Sequence, residues 1–224
     1  MRTGGALVPL TPMAEPSEDP NADDVELLRA RQFLRGHTTG VICFAEHIRP
    51  VFYVLDASGH PVCPVSAAMM LAGDTVLRVP DESSEAMSIL VTLEDIPLNS
   101  AEGDRWRIYH SAPEETYFAR LYLEAAKYRG FVIDGDALAQ PNLLDDLEPA
   151  VCKALNNLSR DRLIALAKRV ARAEMTNPLV VGVDHLGIDM RGAFGVTRLE
   201  FPEPMLNATV LRNFLKTHGV ELPE

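Results

Sequence analysis

Between Thr38 and Tyr109 the chain breaks into short runs of β-favouring residues separated by turn chemistry. The runs are residues 41–44, 51–55, 61–65, 75–79, 87–93 and 106–109. Asp56-Ala57-Ser58-Gly59 and Ala72-Gly73-Asp74 supply turns between them. Several short strands with turns this close together imply an antiparallel barrel or sandwich. Pro61 and Pro64 cannot donate ladder hydrogen bonds, so their run suits an edge or a bulge.

The flanks read differently. Residues 1–22 are rich in Pro, Gly and acidic side chains and lack periodicity, which predicts a mobile arm. Asp23 and Asp24 offer an N-cap, and Leu27, Ala30 and Leu34 follow at helical spacing, so an amphipathic helix ends near Gly36. Residues 114–128 are rich in helix formers, with Tyr117, Leu121 and Ala125 at i, i+4, i+8, and predict a second helix. Beyond the Asp134-Gly135-Asp136 break, Leu147, Val151, Leu155 and Leu158 mark a further helix with Pro149 near its start. Ser159 caps another, with Leu163, Leu166, Ala167 and Val170 as its buried stripe. Strands follow at 179–183, 188–191 and 196–201, the last alternating apolar and polar. Asn207 caps a final helix carrying Val210, Leu211, Phe214 and Leu215, closed by His218-Gly219. The second half is therefore helices packed on a small antiparallel sheet, an α+β module.

Composition narrows the partners. Lys plus Arg number 21 and Asp plus Glu 32, a net charge of −11. That balance argues against nucleic acid or an anionic membrane as the main partner, while leaving room for a local basic pocket. Cys43, Cys63 and Cys152 are odd in number and form no C-x-x-C, so the reading is a reducing cytoplasm rather than a disulfide framework. No apolar stretch approaches the ~18 residues needed to span a bilayer. The N-terminus makes a poor signal peptide, so the chain is expected to be cytoplasmic.

Two stretches together carry a resemblance. Residues 33–41 and the run Gly59-His60-Pro61-Val62-Cys63-Pro64-Val65, with residues 74–77 and 87–95 as third and fourth strands, resemble the pyridoxamine-phosphate-oxidase-like (FMN-binding) split barrels. Residues 183–191 and 198–204 are similar to the small domain appended to the haem-utilisation branch of those barrels. That domain also occurs in the plastid protein that binds glutamyl-tRNA reductase. With the 1–22 arm read from composition, the resemblance implies an α+β fold: an antiparallel split β-barrel over 23–130 and a C-terminal α+β domain over 140–224. It also implies a homodimer with the ligand cleft between subunits.

The departures bear on the cofactor. In flavin-binding relatives the segment after the third strand holds the FMN phosphate. Here Asp81, Glu82 and Glu85 would repel a phosphate, although Ser83 and Ser84 can donate hydrogen bonds. The appended domain usually carries M-N-x-D-H. The matching positions are Leu155-Asn156-Asn157-Leu158-Ser159, which retain only Asn156. The haem-ligating histidine of the haem-utilisation tail has no aligned counterpart. If haem binds, Arg78 and Arg107 are the expected partners of its propionates, and Ser83 and Ser84 complete the set of expected cofactor-binding residues.

The remaining candidates have simpler readings. Each of His37, His47, His60, His110, His185 and His218 is expected to be a surface or hydrogen-bonded histidine, with His185 exposed in the turn at 184–187. Cys43, His47, His60 and Cys63 have a zinc composition, but i and i+4 on a strand lie ~13 Å apart, so no metal is expected. Glu114-Glu115 and Asp145-Asp146 fall at expected helix starts, where the macrodipole accounts for them. Trp106, Tyr109, Tyr117 and Phe118 read as core or dimer-contact aromatics. Three functions follow: a haem or tetrapyrrole-binding protein, a cofactor-free interaction module with a protein partner, or an FMN-dependent oxidoreductase. The acidic 81–85 segment weighs against the last, and no catalytic residues are assigned.

Overall fold

The computed structural model describes residues 20–111, 117–171 and 174–220. Helix α1 (Pro20–Arg35) opens this region and buries Ala30 and Leu34 against the sheet, as the apolar spacing requires. The expected arm, apart from its last three residues in α1, lies outside the described residues.

Strands β1 (Thr39–Phe44) and β2 (His47–Phe52) form a hairpin, followed by the short β3 (Val54–Leu55) and by β4 (Pro61–Val65). Helix α2 (Ala67–Met70) leads to β5 (Thr75–Val79) and β6 (Met87–Ile96). Helix α3 (Ala101–His110), β7 (Tyr117–Tyr128), β8 (Phe131–Asp134) and α4 (Gly135–Leu138) follow. The strands pair antiparallel in the order β2-β1-β5-β6-β7-β4-β3, with β8 added to β7. The sheet curls into a half-barrel, as a split barrel does. Alternation decides its inner face: Ile42, Leu77, Ile89 and Leu121 are fully buried there. Leu138 of α4 joins the same core.

Helices α5 (Glu148–Asn156) and α6 (Arg160–Ala171) come next. Strands β9 (Leu179–Asp184), β10 (Gly187–Gly192) and β11 (Gly195–Glu200) form a three-stranded meander, and α7 (Ala208–Thr217) packs with them. Leu155, Leu166, Ile188, Leu199 and Leu211 make this second core, which gives the α+β arrangement expected of this half. Leu163, Leu166 and Ala167 are buried as the α6 stripe requires. A third apolar cluster joins the two. Val54, Val62, Trp106, Tyr109 and Phe118 of the first half meet Val181 of β9.

Three expectations need correction. Residues 106–109 are not a strand but the end of α3. Ser100 caps that helix by accepting from Gly103 N–H at 3.1 Å, and Trp106 and Tyr109 are buried one turn apart. Residues 117–128 are not a helix but the long central strand β7. Spacings of four and eight fit period 2 as well as period 3.6, so Leu121 and Ala125 did not discriminate. A register shift also disguises the alternation: Leu90 faces Ala125, whereas the next residue Val91 faces Leu123. The buried set therefore changes phase from Ala119, Leu121 and Leu123 to Ala126 and Tyr128. Finally, β4 is not at the sheet edge. All five of its residues are buried between β7 and β3. Because β3 spans only two residues, most of the outer flank of β4 carries no ladder, and prolines are tolerated there.

Candidate functional site

A cleft of about 240 Å³ opens where the half-barrel meets the three-stranded sheet. His37 and Thr38, just past α1, form one wall, and Phe52 at the end of β2 and His110 at the end of α3 form another. Phe194, at the tip of the β10–β11 hairpin, lines the mouth and is 99% exposed. Asp189 and Arg198 lie at the base.

The two histidines share an arrangement. Nδ1 of His37 lies 2.8 Å from the Phe33 carbonyl, and Nε2 of His110 lies 2.9 Å from the Tyr53 carbonyl. A carbonyl only accepts, so each of those nitrogens carries the proton. In a neutral imidazole held this way the opposite nitrogen, Nε2 of His37 or Nδ1 of His110, is the acceptor. A carbonyl that takes one ring N–H fixes the tautomer and the orientation of the imidazole. Burial lowers the pKa of His110; its bond to the Tyr53 carbonyl works the other way, and the charge of Arg191 adds to the lowering. His110 is therefore neutral at physiological pH. Its ring packs against Phe52 and Trp106, with centroids 5.4 and 5.2 Å away.

Beneath the cleft runs a buried chain of charges. Arg35 of α1 donates to Asp184 Oδ2 at 3.0 Å, and Arg198 pairs with both Asp184 and Asp189, the latter at 2.9 Å. Tyr109 donates to Asp189 Oδ2 at 2.9 Å. Arg105 forks onto Glu148 at 2.8 and 2.9 Å, and Glu148 Oε1 accepts from Val183 N–H. Three guanidiniums thus meet three carboxylates. Burial by itself would raise the pKa of Asp184, but Arg198 and Arg35 outweigh it and hold the carboxyl down at about 2. Burial, reinforced by Asp189, pushes the Tyr109 hydroxyl well above its ordinary value. These ion pairs join the two halves of the molecule.

No family model matches the chain, and no curated protein matches it in sequence. Solved structures do match. Atu2129 from Agrobacterium tumefaciens str. C58, a protein of unknown function, aligns over 92% of this chain and 99% of its own, with a TM-score of 0.69 at 16% identity. It shares the fold. A haem-binding protein from Mycobacterium smegmatis aligns over 92% of this chain and 97% of its own, with a TM-score of 0.38 at 16% identity. That superposition is too loose to bear on fold or site.

The residues expected to bind a cofactor lie elsewhere. Arg78 of β5 donates to the Ser83 carbonyl at 3.0 Å, and Ser83 N–H donates to Asp81 at 2.7 Å. Hydrogen bonds from Ser83 hold the Asp81 carboxyl below its ordinary range. Ser84 is exposed in the same loop. Arg107 is paired with Asp104 at 2.9 Å and donates to the Leu98 carbonyl. None of the four lines the cleft.

His185 is a correction. It is 2% exposed rather than solvent-facing. Its turn is tucked under the segment before α5: Nδ1 accepts from Leu143 N–H at 3.4 Å, and Nε2 lies 3.2 Å from Gln140 Oε1. Burial, with Arg35 next in weight, drives its pKa down to about 4. Asn156, the retained motif residue, clamps α5 to β9 by bonding both Val180 N–H and C=O at 2.8 Å. Among the described residues no three His, Cys, Asp or Glu side chains converge on a metal position.

Sequence reasoning missed the cleft histidines because their pairing depends on where α1 and α3 end in space. A weak signal did exist for the charges below. Asp189 and Arg198 sit symmetrically about the hairpin turn at 193–194 and face each other in register.

Proposed function

We propose that the protein binds haem or a related tetrapyrrole in the cleft between the half-barrel and the three-stranded sheet. The observation that carries the reading is the pair His37 and His110. Each has one ring nitrogen held by a backbone carbonyl, and both residues line the same cleft. Neutral imidazole is the form that ligates iron, and carbonyl-held imidazoles are oriented for it. Phe52 and Phe194 add flat apolar surface suited to a planar ring. When bound, the iron would accept a ring nitrogen of His37 or His110 as a ligand. The chain's own residues bind and orient the ring, and no turnover is assigned to them.

Pairing of two copies belongs to the same proposal. Strand β2 is a sheet edge that exposes Ile48 and Phe52, and Phe52 also lines the cleft. A second copy seated there would cover part of a ring too large for the cleft to enclose.

Titration of the purified protein with haemin tests the reading. A saturable Soret shift is expected, with His37→Ala or His110→Ala abolishing the ligated spectrum or weakening binding by at least tenfold. Light scattering on the same sample reports whether the ligand is held by one chain or two. Absence of a saturable shift in the folded protein, or a shift indifferent to both substitutions, would overturn the assignment.

A further inference from the structure

Arg191 lies on β10 directly opposite Val196 on β11, and Asp189 lies opposite Arg198. Residues two apart on a strand share a face, so Asp189, Arg191, Val196 and Arg198 stand on one side of the hairpin. Three of these four line the cleft. Arg191 itself stands beside this lining, on the same strand face and at the hairpin end that carries Phe194. A hydrogen bond from its guanidinium to the Ile108 carbonyl ties it to the last turn of α3, next to His110.

Its charge differs from the others nearby. Arg35, Arg105 and Arg198 are each paired with a buried carboxylate. Among the described residues, no carboxylate lies within ion-pairing distance of Arg191. One bond to a carbonyl leaves most of the five guanidinium donors free. The nearest acid on the same strand face, Asp189, is already engaged by Arg198 and Tyr109.

We infer that Arg191 anchors a carboxylate substituent of the ligand, so that the cleft selects planar rings carrying acid groups over their neutral counterparts. This rests on the ligand-binding reading above. The histidines act at the centre of the ring and Arg191 at its acidic edge. A planar guanidinium matches a carboxylate with paired, charge-assisted hydrogen bonds, which a lysine reproduces only in charge.

The test compares haemin with its dimethyl ester, each titrated into the full chain and into Arg191→Ala and Arg191→Lys in one detergent-containing buffer. The unsubstituted protein should bind the diacid about tenfold more tightly than the diester, the size of one charge-assisted contact. Arg191→Ala should lose that tenfold for the diacid and leave the diester unchanged, and Arg191→Lys should recover part of it. Equal affinity of the unsubstituted protein for both compounds, a comparison that needs no variant, would overturn the role of Arg191 and leave the haem reading standing. An equal loss for both compounds in Arg191→Ala would reduce Arg191 to a structural tie to α3. No saturable shift with either compound would remove both proposals.

Discussion

At Gly182 the absence of a side chain lets β9 run against the Tyr109 hydroxyl. A Cβ built there would lie 1.8 Å from that oxygen and 3.1 Å from Glu148 Oε1. Tyr109 has little freedom to retreat, since its hydroxyl is bonded to Asp189 and lies 3.3 Å from Arg105 Nη2. Gly182→Ala is therefore expected to destabilise the protein by about 1–3 kcal/mol, the range for overpacking. Denaturant unfolding followed by far-UV circular dichroism would show it. A change within measurement error would mean that the tyrosine relocates freely. Gly182 is legible in the sequence only as an interruption of an apolar run; its reason lies on another element.

At the scale of elements, β11 meets β9 through Arg198. That one side chain joins Asp184 at the end of β9 to Asp189 on β10, with all three nearly excluded from water. Replacing Arg198 with Met would keep the packing volume but strand two buried carboxylates, one of which retains Arg35. The expected loss is about 3–5 kcal/mol, as for breaking a buried pair. Substituting Asp189 with Asn as well should recover part of it, because one uncompensated charge is then gone. Chemical denaturation of the single and double variants checks both statements. Strand β7 teaches the converse. Its composition favours helix, yet pairing with β6, β4 and β8 overrides propensity, since a central strand satisfies its backbone on both flanks.

For the whole molecule, two groups make the joined state sensitive to acid. His185 falls from its ordinary 6.5 to about 4 in the folded protein, and Asp184 from 3.8 to about 2. In both cases the unfolded chain binds the proton more readily than the folded one, so acidification favours unfolding. The His185 contribution is lost as pH falls from about 6.5 to about 4, and the Asp184 contribution between about 4 and about 2. His110, also lowered, acts in the same direction as His185. The melting temperature should therefore decline in two stages on acidification. His185→Gln should shrink the upper stage, leaving the His110 share, and spare the lower one. Scanning calorimetry of both proteins from pH 8 to pH 2 checks this, and an unchanged upper-stage slope in the variant would refute it. Among the described residues no helix is long and apolar enough to cross a membrane.

The sequence by itself determined the α+β character, the positions of β1, β5, β6 and β9 to β11, and the helices α1, α5, α6 and α7. Each of these is specified by local periodicity, capping or turn chemistry within one short stretch. Only the tertiary structure decided that 106–109 is helical, that β7 is a strand, that His185 is buried, and that His37 and His110 share a cleft. Each of those depends on a partner far away in the chain: Phe52 for Trp106, β6 for β7, Gln140 and Leu143 for His185, and the Tyr53 carbonyl that brings His110 to the cleft beside His37. Periodicity reports which side of an element is apolar. It does not report which other element arrives to cover that side, nor which polar groups are carried in with it.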